Sequence, residues 1–144
     1  MVGRLPGSLE ILDVPSGKGR WWKTLEPHAS RITALDISPT MLEAAQARAP
    51  DMGVSVTTAI GDAEAIDLPD ESVDAVFSHA LTKHLPIPVQ HRVLAEFARV
   101  SRKFVVCSFS LFGPVTYQLW RRRQFLDSYP LLPEQLDDMA DAAA

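Results

Sequence analysis

Residues 10–19, EILDVPSGKG, decide the fold, because a short apolar run that includes an acid leads at once into a turn with two glycines. The apolar residues predict a buried β-strand, and Gly17 and Gly19 predict the tight turn after it. The pattern recurs at residues 31–39, RITALDISP, where a β-branched run again reaches an acid before a serine and a proline. The sequence therefore predicts strands that lead into helices through short turns.

Alternating strands and helices fill the rest of the chain. Further strands are predicted at residues 54–60, 73–78 and 104–109, and helices at residues 20–26, 39–49, 88–100, 115–126 and from 133 onward. Because these strands are apolar on both faces, they predict parallel βαβ units with helices on both sides of the sheet. Right-handed crossovers then give an α/β fold, a Rossmann-like three-layer sandwich with a mainly parallel sheet.

The composition is typical of one folded domain. The chain has 144 residues, and the 47% that are apolar suit a single core of ordinary size. Its 18 acidic and 14 basic residues give a net charge of −4, which disfavours nucleic acid as a general partner. The basic run Arg121-Arg122-Arg123 is a local exception, which we interpret as a solvated helix face.

The sequence also argues against several classes of protein. A single cysteine, Cys107, excludes an internal disulfide framework and a multi-cysteine metal site, so we expect no metal. No apolar run approaches the roughly 20 residues that a membrane helix needs, and no signal region is recognisable. We therefore expect no membrane partner, a cytoplasmic location and a single domain over residues 1–144.

Acids stand where ligands bind on such a fold, at the carboxyl ends of the strands. Asp36 lies 17 residues beyond Gly19, at the end of the second strand, and could accept hydrogen bonds from both hydroxyls of a ribose. Asp62 could accept one from the amine of an adenine, and Asp13 could meet a ligand ammonium. The alternatives are structural: Asp36 as a helix cap and Asp62 as part of an ordinary turn.

A dinucleotide-binding site is disfavoured. Its fingerprint needs a third glycine three residues after the second, for close packing of the helix on the strand. Here Trp22 stands at that position, three residues after Gly19.

The motifs as a set resemble those of the class I S-adenosylmethionine-dependent methyltransferases. Residues 11–20, ILDVPSGKGR, resemble motif I of that family, and residues 34–42, ALDISPTML, resemble its second motif. Residues 61–69, GDAEAIDLP, and 72–76, SVDAV, are similar to the third and fourth motifs. The resemblance spans about residues 9–109 and is greatest for the small-molecule subgroup that includes the ubiquinone and menaquinone methyltransferases.

The resemblance implies a site for S-adenosylmethionine and an enzyme that transfers its methyl group to a small-molecule acceptor. Because the methyl group leaves a positively charged sulfur, the transfer is an in-line displacement that needs positioning more than acid or base help. His84 and His79 are weak candidates for a general base, and a structural hydrogen bond is the alternative for each. By their position in the family's motifs, ten residues would bind the cofactor. Those at its methionine end are Asp13, Pro15, Gly17 and Gly19, and Asp36 would bind the ribose. Those at the adenine are Ile37, Met41, Asp62 and Ala63, and Ser78 would lie near the sulfonium.

The sequence departs from the family at the glycine loop and at both ends. Pro15 stands where the family usually has glycine, and Lys18 where it usually has a small or hydroxylated residue. Compared with the family, the chain is shortened at both ends, so we expect a core at residues 9–109, a C-terminal helical segment at 112–144 and no C-terminal hairpin. The expected strand order is then 3-2-1-4-5. A methyltransferase-fold protein that binds the cofactor or a protein partner without catalysis is the alternative function.

The fifth strand, predicted at residues 104–109, would form an apolar edge of this sheet. We expect it to be covered, either by residues 112–132 folding back on it or by a second copy of the chain. A homodimer through this strand or through the C-terminal segment is the corresponding partner hypothesis.

Overall fold

Five parallel strands form one sheet in the order β3-β2-β1-β4-β5, which confirms the predicted topology. The structure is a computed structural model and describes residues 6–123 and 128–143. The strands are β1 (Leu9–Asp13), β2 (Ala29–Asp36), β3 (Ser55–Ile60), β4 (Val73–Ser78) and β5 (Ser101–Cys107). In register, Asp13 lies opposite both Ala34 of β2 and Phe77 of β4, so the carboxyl ends of the three central strands meet at one edge.

Helices flank the sheet on both faces. They are α1 (Trp22–Leu25), α2 (Pro39–Gln46), α3 (Ile87–Val100), α4 (Pro114–Arg123) and α5 (Pro133–Ala143). Single 3₁₀ turns occur at Glu26–His28, Ala49–Asp51 and Thr82–His84. Ser38 caps α2, since its side chain accepts a hydrogen bond from the amide of Met41, and Pro39 occupies the first helical position.

Two apolar clusters, one centred on Trp22 and Ile32 and the other on Phe97 and Val76, hold the helices against the sheet. The first joins α1 and α2 to the sheet and includes the buried side chains of Leu25 and Ala45. The second packs α3 on the sheet and includes Leu12 and Val93. Each large apolar side chain that is fully buried stabilises the fold by about 1.5–3 kcal/mol.

Strand β5 begins three residues earlier than predicted and ends two residues earlier. Arg102 and Lys103 precede the apolar run in the sequence, and both pair with Asp74 of β4, at 3.2 and 2.9 Å. These ion pairs hold the basic residues in an extended strand beside β4. Hydrogen bonds from Lys103, from the amide of Glu10 and from Arg102 lower the pKa of Asp74 to about 2.

The helices differ from the prediction mainly at their ends. Helix α1 is a single turn followed by a 3₁₀ turn, because Pro27 interrupts it. The helix predicted at 115–126 is described as Pro114–Arg123, and the rest of that prediction lies outside the described residues. The spacing of Met41, Leu42 and Ala45 in the sequence predicts one apolar face of α2, but Met41 is 40% exposed and only Leu42 and Ala45 are buried.

Of the two covers predicted for β5, the fold-back is not seen in residues 112–123 and 128–132. Phe104 and Val105 remain 36% and 40% exposed. The later segment instead bonds to the chain beyond the end of β5, since the amide of Leu131 donates to the carbonyl of Ser110 and the amide of Phe112 donates to that of Leu131. The outer edge of β5 therefore stays open in the part of the chain that the structure describes. In that same part, no helix has the length and apolar character to cross a membrane.

Candidate functional site

The loop after β1 turns sharply through two glycines in the left-handed region. Gly17 has φ +54° and Gly19 has φ +69°, a conformation that glycine adopts without steric cost. The peptide bond between Val14 and Pro15 is cis. The loop is tied to the sheet by the amide of Ser16, which donates to the carbonyl of Leu35 in β2. It therefore sits across the carboxyl ends of β1 and β2.

Asp36 joins the glycine loop to the start of α2. Its Oδ2 accepts a hydrogen bond from the amide of Gly17 at 2.8 Å, and its Oδ1 accepts one from the amide of Ser38 at 2.9 Å. The residue is only 6% exposed. Each carboxylate oxygen has a second lone pair, so the group can still accept hydrogen bonds from a ligand. The hydrogen bond from Ser38, at the start of α2, also gives Asp36 part of the helix-capping role that was the alternative interpretation.

Asp13 is held below the loop by α1. The indole N–H of Trp22 lies 3.0 Å from Oδ2 of Asp13 and 3.0 Å from the hydroxyl oxygen of Ser16. Burial raises the pKa of Asp13 to about 7, although hydrogen bonds from Ser16 and Trp22 act in the opposite direction and Asp36 adds to the rise. The Asp13 side chain is thus enclosed by protein rather than open to a ligand.

Trp22 also explains why this loop has no third glycine. The ring of Trp22 fills the space below Gly19, and a Cβ atom on Gly19 would stand 2.7 Å from it. In the sequence, Trp22 served as one of the spaced apolar residues of the first helix and as evidence against a dinucleotide site. Its helical spacing indicates a buried face, but the acid that its N–H contacts depends on tertiary packing.

One cavity of about 240 Å³, the first cavity, lies between the ends of β1, β2 and β3. Asp36, Ile37, Asp62 and Ala63 line it, and all four are predicted cofactor residues. The rest of its wall is largely apolar and includes Val14, Leu35, Leu81, Leu85 and Val93. An apolar slot with a few polar groups at its rim suits a flat heteroaromatic ring.

A second cavity of about 520 Å³ lies on the other side of Asp36, against the glycine loop. Predicted residues line this second cavity as well, namely Pro15, Gly17, Asp36, Met41 and His79. Asp36 and Pro15 are common to both cavities. Lys18, Arg20, Trp21 and Arg48 complete much of the wall. From the sequence, Lys18 could pair with a ligand carboxylate or point to solvent, and solvent is the preferred interpretation; the other three have no predicted ligand role.

Four predicted residues lie outside the walls of these two cavities. Asp13, Gly19 and Ser78 are buried behind them, and His84 is exposed at the end of a 3₁₀ turn. Ser78 is 2% exposed and faces Cys107 across the β4–β5 pair, where burial raises the pKa of the Cys107 thiol to about 11. The structure thus brings His79, but not His84, to the candidate site.

A pair of residues on α3 fixes the loop that carries Asp62. Arg99 donates to the carbonyls of Ile66 and Leu68, each at 2.8 Å, and Glu96 accepts a hydrogen bond from the amide of Ile66 at 2.8 Å. Arg99 and Glu96 also bond to each other. Sequence reasoning took this part of α3 only as a family-like helix and missed its contacts with the loop.

A third cavity of about 450 Å³ lies away from the strand ends, between α3, β5 and α5. Apolar side chains such as Leu94, Val105 and Leu136 line it. Among residues 6–123 and 128–143, no group of three or more histidine, cysteine or acidic side chains is placed to hold a metal ion.

Comparison with known proteins agrees with this geometry. Residues 11–103 match the sequence model of a family described as "Methyltransferase domain". The chain is 36% identical to phosphatidylethanolamine N-methyltransferase of Cereibacter sphaeroides over 95 residues, which are 65% of this chain and 45% of that protein. It is 31% identical to 2-methyl-6-phytyl-1,4-hydroquinone methyltransferase 2, chloroplastic, of Oryza sativa subsp. japonica over 131 residues, 88% of this chain and 35% of that protein.

Solved structures share the fold. Magnesium protoporphyrin IX methyltransferase of Synechocystis, solved with bound SAH, superposes with a TM-score of 0.75 at 19% identity, over 97% of this chain and 65% of that one. The chain spans less than half the length of the two curated relatives, 45% and 35%. The match over residues 11–103 covers well over half of the chain. The chain therefore belongs to the methyltransferase-domain family, as the glycine loop and Asp36 indicated.

Proposed function

We propose that this chain binds S-adenosylmethionine across Asp36 and transfers the methyl group to a small-molecule acceptor. The observation that carries the proposal is the position of Asp36, which lies at the junction of the two cavities and keeps lone pairs free on both oxygens. A ribose bound there would place an adenine in the first cavity and a methionine tail in the second.

The residues around each cavity fit those parts of the cofactor. Ile37, Asp62 and Ala63 would hold the adenine, because they supply an apolar surface and a carboxylate at the rim of the first cavity. Gly17 and Pro15 would border the methionine tail in the second cavity, and Met41 lines that cavity rather than the first. Asp13, Gly19 and Ser78 would support this site from behind, without direct contact with the ligand.

The chemistry would depend on positioning. The bound cofactor supplies an electrophilic methyl group on a sulfonium, and the chain holds the acceptor in line with the carbon–sulfur bond and excludes water. His79 is our candidate for a general base, because it lines the second cavity, where its ring packs against that of Trp21 with centroids 4.6 Å apart and a tilt of 50°. It would take a proton only from acceptors that lose one.

Calorimetric titration with S-adenosylhomocysteine tests the proposal. We expect micromolar binding to the wild type, and a loss of at least about tenfold in affinity for Asp36→Ala. Asp138→Ala, which changes an exposed acid on α5, is the matched control and should bind like the wild type. Absence of binding to the folded wild-type chain would contradict the proposal.

Catalysis needs its own test, because the buried and tethered carboxylate of Asp13 also fits a protein that binds the cofactor without turning it over. Incubation with S-adenosylmethionine and a panel of small-molecule amines, phenols and carboxylic acids should yield S-adenosylhomocysteine with at least one acceptor. Binding without turnover on any of them would favour the non-catalytic alternative.

We also propose that a second copy of the chain covers the open edge of β5, through that strand or the C-terminal segment. Phe104 and Val105 are exposed there, and an edge strand presents unpaired backbone groups that a second β5 could match. Light scattering after size exclusion should show a dimer that Val105→Lys abolishes. Val115→Lys, at a 75% exposed position on α4, distinguishes the two routes, since it should leave a dimer through β5 intact and weaken one through the C-terminal segment. A monomer at every concentration would contradict this assembly.

The domain limits and the location belong to the same set of proposals. We propose that residues 1–144 form a single methyltransferase-like domain, with the core at 9–109, and that it works in the cytoplasm. Limited proteolysis that releases a stable fragment much shorter than the core would overturn the first statement. Recovery of the protein outside the cytoplasmic fraction of its source cells would overturn the second.

A further inference from the structure

Three basic residues on the wall of the second cavity form no ion pair within the described parts of the chain. They are Lys18, Arg20 and Arg48, all exposed. The basic residues that do pair with an acid are Lys23, Arg31, Arg92, Arg99, Arg102 and Lys103, all outside this cavity wall. Cations that share one concave surface repel each other, so a bound anion would stabilise this arrangement.

Asp36, the one acid on that wall, does not neutralise the three basic residues. Both oxygens of Asp36 accept backbone hydrogen bonds, from Gly17 and from Ser38, and the side chain is only 6% exposed. It carries no ion pair with a basic residue in the described chain. The second cavity therefore keeps an excess of positive charge at its open side.

Both guanidinium groups on this wall are oriented by neighbouring contacts. Arg48 donates from Nη1 to the carbonyl of Lys18 at 3.1 Å, which ties the end of α2 to the glycine loop. The guanidinium carbon of Arg20 lies 5.8 Å from the centre of the Trp21 ring, a cation–π arrangement. Trp21 also packs against His79 in a tilted arrangement, so Arg20 and His79 contact the same ring.

We propose that the methyl acceptor carries an oxyanion group, a carboxylate or a phosphate, and that Arg20 and Arg48 recognise it in the second cavity. Guanidinium groups present paired N–H donors that match the oxygens of both groups. The assignment rests on the proposed function, because an acceptor must approach the cavity that holds the methyl donor. It makes an anionic small molecule, rather than a neutral or cationic one, the preferred substrate class.

A titration that needs no knowledge of the acceptor tests the anion site. The ¹⁵N-labelled chain is titrated with sodium phosphate and, separately, with sodium acetate, each against sodium chloride of equal ionic strength. We expect one of the two oxyanions, but not chloride, to shift the indole N–H signal of Trp21 in a saturable way. The double variant Arg20→Gln/Arg48→Gln should lose at least about tenfold in that affinity. Arg121→Gln/Arg122→Gln, which removes two exposed arginines of α4, is the matched control and should titrate like the wild type.

A parallel titration with S-adenosylhomocysteine separates the acceptor from the cofactor. The proposal requires that the Arg20→Gln/Arg48→Gln variant bind this compound as tightly as the wild type. A tenfold loss would mean that the arginines bind the cofactor's own carboxylate, and it would overturn the proposal. Equal responses to the oxyanions and chloride would overturn it too. Failure of the wild type to bind S-adenosylhomocysteine would overturn the proposed function and, with it, the assignment of the anion to an acceptor.

Discussion

The indole N–H of Trp22 donates a hydrogen bond over 3.0 Å to Oδ2 of Asp13, so a side chain of the first helix binds a buried carboxyl group. Both side chains are almost fully enclosed, at 1% and 2% exposure. In a buried position a carboxylate without a donor is costly, so this one contact couples the position of α1 to that of the glycine loop.

Replacing Trp22 by phenylalanine should destabilise the fold by about 1–3 kcal/mol beyond the effect of lost volume, because Asp13 keeps Ser16 but loses one of its two hydrogen-bond donors. Urea unfolding at pH 8 measures this, where Asp13 is ionised. Trp120→Phe is a matched control, since the indole nitrogen of Trp120 is buried without a partner in the described chain. The extra loss of unfolding free energy in Trp22→Phe, relative to Trp120→Phe, should be smaller at pH 5. Equal costs for both variants at both pH values would rule out the hydrogen bond as the cause.

The stability of the fold should fall as the pH rises from about 4 to about 7. Burial raises the pKa of Asp13 from 3.8 to about 7, so within this window the folded chain holds a proton that the unfolded chain has lost. The contribution is therefore complete below pH 4 and lost at about 1.4 kcal/mol per pH unit as the pH rises. Asp13→Asn should remove this slope, which urea unfolding across the window would reveal. A variant that keeps the wild-type slope would show that Asp13 titrates normally.

Gly19→Ala should cost more stability than Gly17→Ala. Both glycines have positive φ, so both substitutions strain the backbone by about 1–3 kcal/mol. Only at Gly19 would the new Cβ also meet the ring of Trp22, at 2.7 Å, whereas at Gly17 nothing lies within 4 Å. Thermal unfolding of the two variants compares them directly. A larger loss for Gly17→Ala would contradict the packing of Trp22 under the loop.

Arg99→Gln should loosen the loop of residues 62–70 without unfolding the sheet. The variant loses the donors to the carbonyls of Ile66 and Leu68, so the amide of Ile66 should exchange with solvent about tenfold faster. Arg31→Gln, which removes the surface pair with Glu10 and no contact with the loop, is the control and should leave that rate unchanged. Unaltered exchange at Ile66 in Arg99→Gln would show that the loop holds its conformation without Arg99.

The sheet could be predicted because its signals are local. The apolar run at residues 73–78 coincides with the limits of β4, and the acids at the ends of β1 and β2 fall at the predicted edge. Turn glycines and the Ser38 cap mark the connections in the sequence itself. Strand order followed from the family resemblance and is confirmed.

The remaining features depend on contacts between distant residues. The early start of β5 follows from the pairing of Arg102 and Lys103 with Asp74, which no local pattern indicates. The open edge of β5 follows from the way Leu131 bonds beyond the strand end. Likewise, Asp13 looked accessible in sequence, and only the packing of Trp22 shows that it is enclosed.

The most direct test of the cofactor site is an amide-resolved titration of the ¹⁵N-labelled chain with S-adenosylhomocysteine. This measurement shows whether the ligand spans the first and second cavities or enters the third. The account predicts that the amides of Gly17, Ser38 and Ala63, around the carboxylate of Asp36, shift together with one affinity. Shifts confined to Leu136 and Ala140, on the wall of the third cavity between α3, β5 and α5, would contradict it.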